Sequence, residues 1–183
     1  MIKFRDLTAS EIDCRVQSVK QNGLVLLLYK DARVDQNILD GTVGAENWQR
    51  EHYECKGNLF CRVGIDTNGN TENAAPSSDP RWVWKSDCGT ESNTEAQKGE
   101  ASDSFKRACF NWGIGRELYT APFIWVPDSR CNIQNGKCYD KFVVEKIVIE
   151  NKTITALSII NESSKAEKLS ERRAFVWQQQ KGE

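Results

Sequence analysis

The residues best suited to chemistry lie between Lys98 and Tyr119, in the run Lys-Gly-Glu-Ala-Ser-Asp-Ser-Phe-Lys-Arg-Ala-Cys-Phe-Asn-Trp-Gly-Ile-Gly-Arg-Glu-Leu-Tyr. Its cations, Lys98, Lys106 and Arg107, are of the kind that hold phosphates rather than break bonds. Lys98 and Lys106 read as one line along a helix, with Ser102 between them and Arg107 beside Lys106. Ala101, Phe105, Ala108, Cys109 and Trp112 recur at helical spacing and predict the stripe that faces a core. With that stripe fixed by packing, the cationic ridge points outward, toward phosphates or simply toward solvent. An ordinary amphipathic helix with solvated lysines has the same periodicity. Gly113 and Gly115 supply the stop.

Other chemistries find little support. A nuclease needs clustered carboxylates with a lysine at metal-site spacing. Asp79, Asp87, Glu91 and Lys98 are present, but no acidic-x-Lys triplet follows a suitably placed aspartate on a strand. No Gly-x4-Gly-Lys-Ser/Thr loop exists for ATP, and Gly113-Ile-Gly115 ends a helix instead of opening one after a strand. His52 is the sole histidine and is expected at the surface or packed on a sheet. Seven cysteines without a Cys-x2-Cys knuckle read as free thiols in a reducing compartment, not as zinc ligands. The expectation is a non-enzyme with no metal and no cofactor.

The elements that must position these cations follow from patterning. Thr8-Ala-Ser-Glu11 is a capping-box pattern that predicts a helix to about Lys20. Leu24–Tyr29 reads as a strand, and 30–40 as a helix with Val34 and Ile38 inward, broken by Gly41 and Gly44. Strands are predicted over 48–55, from Leu59 to Ile65, and over 81–91, with a polar loop at 67–80. The last of these strands sets Val83, Lys85 and Asp87 on one face and Trp82, Trp84 and Cys88 on the other. The two tryptophans read as core, interface or base-stacking residues. Beyond Pro127, Asn135-Gly136 marks a hairpin, 142–149 and 153–160 form a further strand pair, and Lys165–Trp177 reads as helical. The fold class is α+β, an antiparallel sheet with an extended hairpin packed on a long central helix. A domain at 1–160 and a charged tail at 161–183 are expected. No apolar run spans a membrane and the start lacks a secretion pattern, so a cytoplasmic location is expected.

The stretch from Lys98 to Ala108, followed by Trp112-Gly-Ile-Gly-Arg-Glu-Leu-Tyr119, resembles the central helix of phage members of the Rad-fifty-two (Rad-twenty-two) superfamily of single-strand DNA annealing proteins. The resemblance is specific over 85–127 and fainter from Tyr29 to Tyr53, where Tyr-Lys-Asp-Ala-Arg-Val precedes Val-Gly-Ala-Glu-Asn-Trp-Gln. It implies a ring-forming fold and ATP-independent annealing of complementary strands in recombination and double-strand break repair. It also implies a basic groove, between the sheet and the helix-bearing part of each subunit, that holds DNA by its backbone.

Carried over by position, Lys106 and Arg107 match the family's Lys-Arg pair, Arg33 an arginine of the early helix, and Lys98 a further lysine. Each has a plainer reading. Arg33 can pair with Asp31 or Asp35, Lys106 can be solvated, and Arg107 can pair with Asp103 one turn back. Arg62, Lys85 and Arg81 on the hairpin strands are candidates to extend the groove. Eukaryotic members carry an arginine where this chain has Phe110. The expected partners are single-stranded DNA and further copies of the chain, with a host or phage single-strand binding protein as another candidate. The formal net charge of −1 is unusual for a nucleic-acid binder. It keeps a second reading open, a self-assembling scaffold that binds DNA weakly.

Overall fold

A computed structural model of the chain describes residues 2–68, 77–90 and 96–180. In chain order the elements begin with β1 (Asp13–Lys20), β2 (Gly23–Tyr29), α1 (Ala32–Val43), β3 (Trp48–Cys55), β4 (Asn58–Asp66), β5 (Trp82–Cys88) and α2 (Ala96–Trp112). Then come β6 (Ile124–Pro127), β7 (Ile133–Gln134), β8 (Lys137–Cys138), β9 (Phe142–Glu150), β10 (Thr153–Asn161), the single turn α3 (Leu169–Arg172) and β11 (Arg173–Gln178). The chain divides into two compact units, Met1–Arg5 with Ala32–Arg116, and Asp6–Asp31 with Glu117–Glu183. The α+β class stands, but the sheet is two principal sheets, one in each unit, with β7 and β8 as a separate short ribbon.

The second unit is a six-stranded antiparallel sheet ordered β11-β10-β9-β1-β2-β6. Its two end strands approach each other, so the sheet curls into a nearly closed barrel. Leu24, Leu26 and Leu28 of β2 fill it together with Ile124, Val126, Ile154, Leu157 and Ile159. Backbone turns with positive φ at Asn135 and Gly136, and at Asn151 and Lys152, close the two predicted hairpins. Glu117, fully buried, accepts the Leu7 N–H at 2.7 Å and ties the entry segment to the turn after residue 116.

Two predicted helices of this unit are strands. The Glu11 carboxylate does accept the Thr8 N–H at 2.9 Å, but only a 3-10 turn at Ala9–Glu11 follows. From Asp13 onward, exposed Asp13, Arg15 and Gln17 alternate with half-buried Cys14, Val16 and Ser18, a period of two that makes β1 the partner of β2. The stretch Lys165–Trp177 is helical only at Leu169–Arg172, and Arg173–Gln178 pairs with β10. Its Phe-Val-Trp content suits a pleated edge better than a charged helix.

A side-chain clamp holds that last strand. Glu145 on β9 accepts both Arg173 Nε and Nη2 at 2.8 Å and the Ser158 hydroxyl at 2.6 Å, spanning β9, β10 and β11. The hydrogen bonds from Arg173, then that from Ser158, pull the Glu145 carboxyl down to about 2 from its ordinary 4.5. A carboxyl depressed in the folded state stabilises above its unfolded value and loses that contribution as the pH falls through the folded one. Urea midpoints should therefore decline between about pH 4.5 and about pH 2, and Glu145→Gln should flatten this part of the decline. An unchanged acid limb in the variant would refute the clamp.

In the first unit, β3, β4 and β5 pair antiparallel, from Trp48↔Ile65 to Cys55↔Asn58 and from Phe60↔Cys88 to Asp66↔Trp82. Alternation sends Cys61, Val63 and Ile65 to one face, where they are fully buried with Phe105, Ala108 and Cys109 of α2. This is the helix-on-hairpin core that the sequence predicted. Ile38 and Leu39 of α1 are buried as well, but Gly41 lies inside α1, and the helix ends at Gly44, where φ is 87°. The predicted loop at 67–80 and the end of the third strand at Glu91 lie partly outside the described residues.

Candidate nucleic-acid interface

Helix α2 is fixed to the sheet from Glu100 to Trp112. Glu100 Oε1 accepts the Leu59 N–H at 3.1 Å, His52 Nε2 lies 3.1 Å from the Ala101 carbonyl, and Trp112 Nε1 donates to Val63 O at 2.9 Å. The Phe105 ring stacks on Trp48 with centroids 6.1 Å apart, and Trp48 Nε1 reaches Asp40 of α1 at 2.6 Å. The predicted stripe is correct, and Ser104, bonded back to Ala101 O, joins it in burial.

The helix ends as its glycines suggest. Ile114 N–H bonds to Cys109 O, and Gly113 N–H to Phe110 O, with Gly113 at φ 96°. This is a Schellman motif, with buried Ile114 and Cys109 as its apolar pair. Arg116 donates to Phe110 O at 2.9 Å and Asn111 O at 3.2 Å, and Lys85 Nζ donates to Asn111 O at 2.8 Å. Both cations lie at the end of the helix where the macrodipole favours positive charge.

All the candidate cations fall in this first unit. Lys106 is half-buried and, among the described residues, has no ion pair or hydrogen bond. Arg107 reaches the sheet, its Nε 3.3 Å from Asp87 Oδ1. Asp103 is occupied by the Thr90 N–H at 3.1 Å and the Thr90 hydroxyl at 3.2 Å. Since the Arg107 and Asp87 side chains are 40% and 26% exposed, their pair contributes at most about 1 kcal/mol.

Lys98 is exposed in the first turn of α2, but its expected alignment with Lys106 does not hold. Eight residues at 3.6 per turn leave the two about 80° apart. Arg33 is exposed in the first turn of α1, the end at which the helix dipole disfavours a cation. Asp35, one of its expected partners, is fully buried.

Arg62 and Lys85, expected to extend one groove, stand on opposite faces of the sheet. Arg62 pairs across the ladder with Ser86, and Lys85 with Val63, so Lys85 shares the α2 face and Arg62 faces away. Lys85 also lies over the Trp112 ring at 4.5 Å, and Arg62 is held by Glu51 at 2.6 Å and lies over Trp84 at 4.6 Å. Arg81 is exposed, and its backbone N–H is bonded to Asp66 at 2.7 Å.

Sequence reasoning missed Arg50, on the helix face of β3 with its guanidinium 4.7 Å over the Phe105 ring. The strict alternation of β3, which sets Arg50 across from Val63, was the available signal.

The set suits holding an anionic backbone better than covalent chemistry. The seven cysteines are free, and burial pushes Cys14 up to about 12 and Cys61 and Cys131 up to about 11, leaving those thiols protonated at neutral pH. Among the described residues no group of three or more His, Cys, Asp or Glu is placed to hold a metal, and no helix is long and apolar enough to cross a membrane.

The profile of the Rad52/22 family, described as double-strand break repair proteins, matches residues 5–136. Neither a curated protein nor a solved structure matches the chain.

Proposed function

The chain belongs to the Rad52/22 family of double-strand break repair proteins, and we propose that it serves repair by annealing complementary single strands of DNA without ATP, as a homo-oligomeric ring of the phage or prophage type. The observation that carries this reading is Lys106, a cation without a protein partner among the described residues, on a helix whose other side is locked to the sheet. Arg107 beside it, and Arg33 and Lys98 at the starts of their helices, complete a set suited to phosphates.

Annealing requires no acid, base or nucleophile. The cations hold one strand by its backbone, the bases stay accessible, and a second strand samples registers until base pairing selects the match. Phosphate contacts carry no sequence information, which suits a protein that must accept any sequence. Oligomerisation would align several modest clusters into one long track, so a net charge of −1 is compatible with binding.

The test is annealing of two complementary labelled oligonucleotides in the absence of ATP and divalent metal. A clear acceleration over the spontaneous rate is expected. No acceleration from folded protein would favour the scaffold reading, which rests on the near-neutral charge.

A further inference from the structure

The sheet of the first unit has a second face that the cationic helix does not use. Trp48, Arg50 and His52 of β3 all engage α1 or α2, which places both helices on one side. On the other side, cross-strand neighbours Tyr53 and Phe60 stack with centroids 5.5 Å apart and planes 22° apart. Trp84 sits opposite Gly64, and a Cβ there would stand 2.8 Å from three atoms of the indole, so the ring lies down on bare backbone. Arg62 lies over that ring at 4.6 Å, and Trp82 follows at 6.1 Å. All five side chains are half-buried.

We propose that this face, built on Tyr53, Phe60, Arg62, Trp82 and Trp84, is a stacking platform for the unpaired bases of single-stranded DNA. The proposal rests on the annealing reading and adds a base-directed site to its backbone-directed one. The composition of the face favours this occupant over a second copy of the chain. Along the three strands its positions set the aromatics among Gln49, Glu51, Asn58, Arg62, Asp66 and Ser86, whereas the core of an interface between protein copies is depleted of charged residues. Flat rings carrying a guanidinium match the π-face of a nucleobase, and every base has one, so stacking tolerates any sequence. The Glu51 carboxylate holds Arg62 in place through Nε at 3.0 Å and Nη2 at 2.6 Å. In a duplex the base faces are already stacked on one another. The site therefore prefers unpaired strands and loosens once annealing is complete.

The test compares a thymidine oligonucleotide, roughly 20 nucleotides long and so longer than a single-fold footprint, with an abasic strand of equal length and charge. Wild-type protein should bind the base-bearing strand at least about fivefold more tightly. Trp84→Leu and, independently, Tyr53→Leu should bring that ratio toward one while abasic binding holds, and Trp84→Phe should preserve it. Lys106→Glu should weaken both strands alike. Equal wild-type binding of the two strands would overturn the platform and leave the backbone reading standing. A Trp84→Leu protein that loses its oligomer but keeps the ratio would overturn it in favour of a contact between copies. No binding of either strand would remove both readings.

Discussion

Replacing Lys106 by glutamate is expected to abolish annealing while fold and assembly survive. Lys106 makes no ion pair or hydrogen bond among the described residues, and the core contacts of α2 are made by Phe105, Ala108 and Cys109, so the substitution spares the core. On single strands each phosphate contact lowers the salt slope by about 0.7, which corresponds to about fivefold in affinity near 0.1 M salt. Reversing a charge removes one contact and adds a repulsion, so a loss of roughly 20-fold is expected for each engaged subunit. Across an oligomer that effect compounds. Size-exclusion elution and melting temperature should match wild type, while annealing falls to the spontaneous rate. Wild-type annealing by this variant would contradict the placement of the strand on α2.

Gly89→Ala is expected to give the largest loss of stability. Gly89 follows β5 where the chain presses on α2, and a Cβ there would meet the Glu100 carbonyl oxygen at 2.2 Å and the Ser104 nitrogen at 2.9 Å. Both are helix backbone and cannot rotate aside. Either α2 lifts from the sheet or the end of β5 does, and the neighbouring bonds from Gly89 N–H to Leu59 O and from Leu59 N–H to Glu100 share the strain. Overpacking of this kind costs about 3 kcal/mol. For a chain of this size that is roughly 6–12 °C in melting temperature, readable by circular dichroism. A melting temperature within about 1 °C of wild type would show that the helix is less tightly seated than the distances imply.

Much of this arrangement was legible in the sequence, and the failures have identifiable physical causes. The α2 stripe, the alternation of β4, the opposed faces of β5 and the turns at Asn135-Gly136 and 151–152 are local patterns, and local patterns are what a sequence displays. Thr8 and Glu11 form the contacts of a capping box, yet the residues that follow have the period of a strand, and β1 obeys the period. At 173–178, pairing with β10 and the Glu145 clamp override a charged neighbourhood that reads as helical.

The candidate site was legible in its residues but not in its geometry. Whether Arg62 shares a face with Lys85 depends on register across the long connection between β4 and β5, and a shift of one residue reverses the answer. The pairing of Arg107 with Asp87 is likewise tertiary, made by where β5 lies against the helix. Gly64 and Gly89 read as ordinary strand glycines. Their importance comes from an indole and a helix backbone far from them in sequence.

The most direct test of the central claim is the salt dependence of single-strand binding and annealing by wild-type protein. With Arg33, Lys106 and Arg107 each holding a phosphate, log affinity should fall against log salt with a slope of about −2 per engaged subunit, and annealing should slow in parallel. Binding and annealing that do not change with salt would contradict the claim that this chain works by gripping the backbone of a DNA strand.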